Sequence, residues 1–489
     1  MSESTESRFR PSRGTAIARA FALALVFALN PAGSAAPHAA PAPGAVGTVV
    51  TPAARDTAPV LVTPADVARD SARRAADSLA LVTPPAPRDR TLPAEDYLAR
   101  VRGGFTPQNQ AYARLKTILR FATPLYGMLI GALILFSGLA AGMRDVAHAL
   151  GHRRYVRVLV FLILYAVVTS LLSAPLAWYD EFALEHQFGL SNQSFGGWAG
   201  DQLKAGVFVV AMFGVLPILA LVYRVFDRSP RRWWVWLALG AVPLVIASVL
   251  LQPLVFDPMF NKFTPLGDQH LKGEILALAA RADIPGRRVY EVDKSAQTNK
   301  YNAYVNGFGA SQRIVLWDTT LHGMKEDEIL FVMAHEMGHY KLGHIWQGMA
   351  VSALLTLVLL FLAARLCDAA LAIFGARWGI RAMADVASLP LLILVLDLLS
   401  FAAQPVVNGY SRRVEHEADV FGLEVSRDND AAARAFVKLG SQNKADPDPE
   451  PVVKWILFTH PTESERVEFA MHYRPWAEGR PNRFFKGRE

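Results

Sequence analysis

Six apolar stretches of bilayer-crossing length dominate the chain, at 118–141, 158–178, 205–226, 233–256, 349–374 and 386–407. A bilayer core about 30 Å thick takes about 20 helical residues to cross. Within it each backbone N–H and C=O must find a protein partner, so such stretches are expected to be helices. Of the 489 residues, 52% are apolar and 19% charged, and the single Cys367 excludes a disulfide scaffold or a multi-thiolate metal site. The net charge of +7 does not point to nucleic acid, because its arginines lie beside the apolar stretches and no recognition motif or basic-aromatic stripe accompanies them.

Those arginines also orient the chain. Arg144, Arg153, Arg154 and Arg157 follow the first stretch, Arg224, Arg228, Arg231 and Arg232 join the third to the fourth, and Arg365, Arg377 and Arg381 cluster between the last two. The loop 180–204 holds one basic residue, Lys204, and several acids, so the positive-inside rule places it outside, together with segment 257–348 and the C-terminal tail. Residues 1–36 carry Arg8, Arg10, Arg13 and Arg19 before the apolar run 20–29 and a small-residue stretch, the order of a secretory signal peptide, with an uncleaved N-terminal anchor as the alternative. Residues 37–110 are rich in Ala and Pro without a sustained period, which predicts a flexible, exposed segment. The remaining domains are a four-span membrane part over 111–256, a polar part over 257–348, two spans over 349–408 and a C-terminal segment over 409–489.

Any water-based chemistry must sit in the two polar parts. Helices are predicted over 271–282 and 325–340, and strands over 288–292, 301–305 and 313–317, a compact α+β layer. Within the second helix, FVMAHEMGH at 331–339 contains an HExxH motif. His335 and His339, four apart, project from one helical face and can share one zinc ion, while Glu336 stands beside the fourth coordination position as a general base. The ordinary alternative is a pair of buried or capping histidines. It is disfavoured because His-Glu-His among apolar neighbours needs a partner for every polar group. A catalytic site also needs a third protein ligand. His344 would suit the extended motif HExxHxxGxxH, but Gly343 falls one residue late and His344 one residue early. In SRRVEHEAD at 411–419, Glu415 and Asp419 share a helical face, placed to act as carboxylate ligand and as acceptor for a ligand histidine, while His416 and Glu417 project elsewhere. A solvated, charged helix start is the plain alternative for that run.

HEMGH, SRRVEHEAD, NAY at 302–304 before RIVLWDTTL, THP at 459–461, WYDEFALEHQFGL at 178–190 and DPMFNKFTPL at 257–266 together resemble the type I CAAX prenyl protease family of integral-membrane zinc metallopeptidases, over roughly 112–466. The resemblance implies a mainly α fold: a polytopic membrane helix bundle enclosing a chamber, with a small α+β zinc metallopeptidase domain. It implies one Zn²⁺ per chain on His335, His339 and Glu415, with Glu336 as base, Asp419 orienting a ligand histidine and His460 stabilising the tetrahedral intermediate. It also implies that Asn302, Ala303 and Tyr304 belong to an edge strand along which an extended substrate lies, a mode that tolerates varied sequences.

The expected reaction is hydrolysis of a peptide bond in peptide or protein substrates, including membrane-associated or lipidated ones. The expected location is a multi-pass protein of the inner membrane if the source is bacterial, with the zinc domain on the outer face as the loop charges indicate. Eukaryotic members of the family face the cytosol instead. Two other classes compete: a non-proteolytic membrane scaffold or chaperone with structural zinc, for which a base at Glu336 would be superfluous, and a transporter, which would place its polar groups at mid-bilayer depth. Cys367 reads as packing, and Asp397 as an intramembrane acid lining the chamber or paired with a polar neighbour.

Overall fold

The structure, a computed structural model, describes residues 94–212, 215–251, 257–284, 288–306 and 313–486. The signal-like residues 1–36, the Ala/Pro-rich residues as far as 93, and the end of the fourth apolar stretch, 252–256, lie outside the described residues.

The reading of 37–110 as flexible is corrected for its end. Ala94–Gly104 forms helix α1, whose Tyr97, Leu98 and Val101 make a short apolar stripe packed into the core of the polar layer. The Tyr97 hydroxyl donates to Asp430, and Arg102 pairs with Asp448 at 2.9 Å. Thr106 then caps α2 (Pro107–Phe136), accepting from the Asn109 N–H at 3.3 Å, with Pro107 at the first helical position.

Helices α3 (Leu139–Leu150), α4 (Arg154–Ala177), α5 (Phe195–Met212), α6 (Val215–Arg228) and α7 (Trp233–Leu251) complete the first membrane part. Through a π-helical turn, Trp178–Ala183, α4 runs on to Gln187. Among the described residues, four helices are long and apolar enough to cross a membrane: Pro107–Phe136, Arg154–Gln187, His344–Trp378 and Val386–Ser426. Of the third apolar stretch, residues 205–212 lie in α5 and 215–226 in α6. Leu129, Leu171, Leu354 and Ile373 stand exposed on these long helices, an arrangement suited to lipid as the surrounding solvent. Cys367 lies in the buried membrane core, as packing requires.

The polar layer carries a four-stranded sheet: β1 (Phe263–Pro265), β2 (Val289–Val292), β3 (Ala303–Asn306) and β4 (Arg313–Trp317), in the order β1-β2-β4-β3. β2 and β4 run parallel, the outer pairs antiparallel, and every residue of β4 is buried. Helices α8 (Gln269–Arg281), α9 (Asp318–Gly323) and α10 (Glu326–Lys341) complete this layer. The Glu328 carboxylate accepts the Lys325 backbone N–H at 2.7 Å and pairs with Arg434 and Lys438, which anchors the first turn of α10.

The chain re-enters the bilayer through α11 (His344–Trp378) and returns through α12 (Leu389–Ser426). At 38 residues, α12 does not stop at the boundary placed between 408 and 409. At 1.5 Å per residue it is about 57 Å long, nearly twice a bilayer core. Its last third stays helical because residues 418–425 are buried all round, with Phe421, Leu423 and Val425 in the core of the polar layer. Helices α13 (Asn429–Asn443), α14 (Pro451–Leu457) and α15 (Glu463–His472) finish the tail.

The bundle has two distinct ends. At one, Arg144 bonds the Gly379 carbonyl at 2.7 Å and Asp385 at 2.8 Å, and Arg154 pairs with Asp227, which gathers the arginine-rich loops. At the other, Glu185 of the extended α4 accepts from Tyr112 of α2 at 2.8 Å and pairs at 2.8 Å with both Lys116 of α2 and Lys300 of the polar layer.

Candidate active site

Two helices build the site, and two glycines let them touch. A Cβ on Gly338 of α10 would sit 3.1 Å from the Phe421 side chain, and one on Gly422 of α12 would sit 3.1 Å from the His335 backbone nitrogen. Their lack of side chains brings the His335 face of α10 directly against the Glu415–Asp419 face of α12. The carboxylate run is therefore part of a helix contact and not a solvated helix start.

Across that contact, His335 Nε2 lies 3.2 Å from His339 Nε2 and 3.3 Å from Glu415 Oε2, and His339 Nε2 lies 3.6 Å from Glu415 Oε1. The ligand atoms of His335, His339 and Glu415 all fall within 4.8 Å of one another. This set fits a metal. Two imidazole nitrogens and one carboxylate are a three-ligand complement that leaves a position open. Glu415 Oε2 is buried and has no hydrogen bond, an atom in want of a cation. Burial works to keep His335 neutral, yet the adjoining Asp419 and Glu415 push its pKa up to about 10, the mark of two carboxylates that favour positive charge beside them. Burial also raises the Glu336 carboxyl above its ordinary range, against the pull of His335 and His339, and so favours proton uptake there.

The outer nitrogen of His335 is held firmly. Its Nδ1 lies 2.8 Å from Asp419 Oδ1, and Arg466 of α15 clamps Asp419 through Nε at 2.9 Å and Nη2 at 2.6 Å. Asp419 is 1% exposed and His335 6%. A carboxylate on the far nitrogen of a ligand histidine fixes its tautomer and aim. Arg466 went unread in the sequence, where nothing but distance along the chain separates it from any other surface-type arginine.

His460, beyond α14, reaches the same place: its Nε2 is 3.3 Å from Glu415 Oε2 and its side chain is 54% exposed. Its Nδ1 meets Thr459 Oγ1 at 2.8 Å. Ala303 and Tyr304 belong to β3, with Asn302 just before it, and α10, which carries His335 and His339, packs against this last strand of the sheet. Asn302 Oδ1 accepts the Ala303 N–H at 2.8 Å, and Thr320 Oγ1 exchanges hydrogen bonds with the Asn302 backbone at 2.8 Å, which fixes the entry to the strand. His416 does project away, its ring against Phe469 at 4.5 Å. Glu417 turns instead toward Arg413 and His344.

Residues 265–474 match the family model described as peptidase family M48, and residues 105–262 match that of the CAAX prenyl protease N-terminal region with five membrane helices, one more than the four stretches counted from sequence. YhfN of Bacillus subtilis, described as an uncharacterized metalloprotease, is 33% identical over 365 residues, covering 74% of this chain and 84% of that one. CAAX prenyl protease 1 of Saccharomyces cerevisiae is 31% identical over 325 residues, covering 63% and 71%. The crystal structure of S. mikatae Ste24p shares the fold, with a TM-score of 0.64 at 24% identity over 83% of this chain and 97% of that one. A non-proteolytic scaffold is not favoured by these likenesses. The chain belongs to peptidase family M48 and is an integral-membrane, multi-pass metalloprotease of the CAAX prenyl protease type.

Proposed function

We propose that this metalloprotease is a zinc endopeptidase that cleaves extended segments of membrane-associated or lipidated proteins at the outer face of its membrane, the inner membrane if the source is bacterial. The observation that carries the reading is the convergence of His335, His339 and Glu415 beside Glu336. One zinc ion per chain would be held by those three residues, the N,N,O donor set that zinc favours in peptidases. When bound, it supplies a Lewis acid that polarises the scissile carbonyl and acidifies water. Asp419 accepts from His335 Nδ1, so that the Nε2 lone pair faces the site. Glu336 takes the proton from the attacking water and later delivers it to the leaving amine. His460, exposed at the rim, donates from Nε2 to the oxyanion as it forms.

The substrate class follows from the edge position of β3. Asn302, Ala303 and Tyr304 offer main-chain pairing to an extended peptide, a mode in which backbone supplies affinity and side chains little selectivity. The printed name of the yeast relative, a CAAX prenyl protease, favours lipid-bearing segments within that class. For the side of the membrane, the support is the separation of the two ends: arginine-rich loops at one, the polar layer at the other. Labelling of a cysteine at exposed Ala477 by a membrane-impermeant reagent applied from outside tests this, since Cys367 is buried and silent.

The decisive substitution is Glu336→Gln. Purified protein is expected to keep its metal by elemental analysis while cleavage of an extended fluorogenic peptide falls by about 10²–10⁴-fold. Turnover equal to that of the wild type overturns the assignment of the base.

A further inference from the structure

We propose that His344 is a positioning residue for His339, holding the second ligand imidazole as Asp419 holds the first; this rests on the metal-site reading above. His339 Nε2 is the atom that faces His335 and Glu415. Its other nitrogen, Nδ1, lies 3.1 Å from Nδ1 of His344, the two rings 5.1 Å apart and inclined at 72°. Two imidazole nitrogens at that distance hold one proton between them. A lone pair on His339 Nε2 requires its proton on Nδ1, so His344 Nδ1 accepts. The proton of His344 is then on Nε2, which lies within ion-pair range of Glu417 Oε2, at 3.4 Å, and has no hydrogen bond. Glu417 Oε1 in turn accepts from Arg413 Nε at 3.0 Å.

Each ligand histidine thus has its own chain of partners ending in an arginine: Asp419 and Arg466 behind His335, His344, Glu417 and Arg413 behind His339. His344 is buried, so water cannot readily replace it. The backbone explains its reach. Gly343 takes φ +70°, ending α10 and starting α11 in a left-handed turn that folds His344 back over the outer edge of His339. His344 follows His339 by five residues, one fewer than the extended motif needs for a ligand, and that shorter spacing goes with its place behind a ligand.

The test is zinc affinity of the full chain in detergent, read by competition with a chromophoric chelator. His344→Leu is expected to weaken zinc binding by about 10–100-fold, and His344→Asn, whose Oδ1 can accept from His339 Nδ1, to recover most of that loss. A purely structural role would show as equal losses in both variants. Glu417→Gln, a milder change in the same chain, is expected to weaken binding by about threefold or more, and keeps the idea testable if His344→Leu does not fold. Wild-type affinity in His344→Leu, His344→Asn no better than His344→Leu, or an unmoved Glu417→Gln, sinks the positioning role. Wild-type protein that takes up no zinc sinks the metal-site reading itself, a distinguishable result.

Discussion

The inner wall of the site and its rim are built on opposite plans. The wall, α10 against α12, is close-packed through Gly338 and Gly422, and its polar groups are buried and mutually bonded: His335 on Asp419, and Asp419 on both arms of Arg466. The rim carries His460, mostly in contact with solvent, and α10 packs on β3, the end strand of the sheet among the described residues. A wall of this kind holds its geometry before any ligand arrives, which is what differential stabilisation of a transition state requires. A rim of this kind meets a variable peptide without losing packing. Preorganisation and adaptability are separated in space, with Glu415 as the residue both sides touch.

The sharpest way to break that division is Arg466→Ala. Removing the arginine from a buried, bidentate ion pair leaves Asp419 with His335 but without its guanidinium and is expected to cost about 3–5 kcal/mol, with loss of metal. Thermal unfolding together with elemental analysis reads both. Arg466→Lys should recover only part, because an ammonium cannot reproduce the two-pronged contact. If Arg466→Ala melts and binds metal like the wild type, the wall is not the structural half of the site.

Next in size is His460→Ala at the rim. Cleavage is expected to fall by about 10²–10³-fold, the usual loss for one donor to an oxyanion, with unfolding temperature and metal content unchanged. Unfolding or demetallation of this variant would assign His460 to the wall instead. The smallest effect is expected from Gly422→Ala, whose Cβ would press on the His335 backbone at 3.1 Å. A small-to-large change in a packed contact costs about 1–3 kcal/mol, so denaturant unfolding should register it, with activity reduced because the imidazole is displaced. An unmoved midpoint would show that the helix contact can relax.

Much of the site was legible in the sequence because helices have fixed periods. Spacing by four puts His335 with His339 and Glu415 with Asp419 on common faces, and apolar runs of about 20 residues announce spans. Strand β4, Arg313–Trp317, and the HExxH helix fell where pattern placed them. The pattern was least informative where a local signal was short. Tyr97 and Val101 make too brief a stripe to announce α1.

Sequence by itself determined the residue types of the candidate metal site, their helical pairing and the need for a bilayer, because these depend on neighbours within a few residues. Only the tertiary structure decided that Arg466 lies behind Asp419, that His344 lies behind His339, and that His460 reaches Glu415. Those contacts join residues on separate elements, and no local period encodes the crossing of two helices at a pair of glycines.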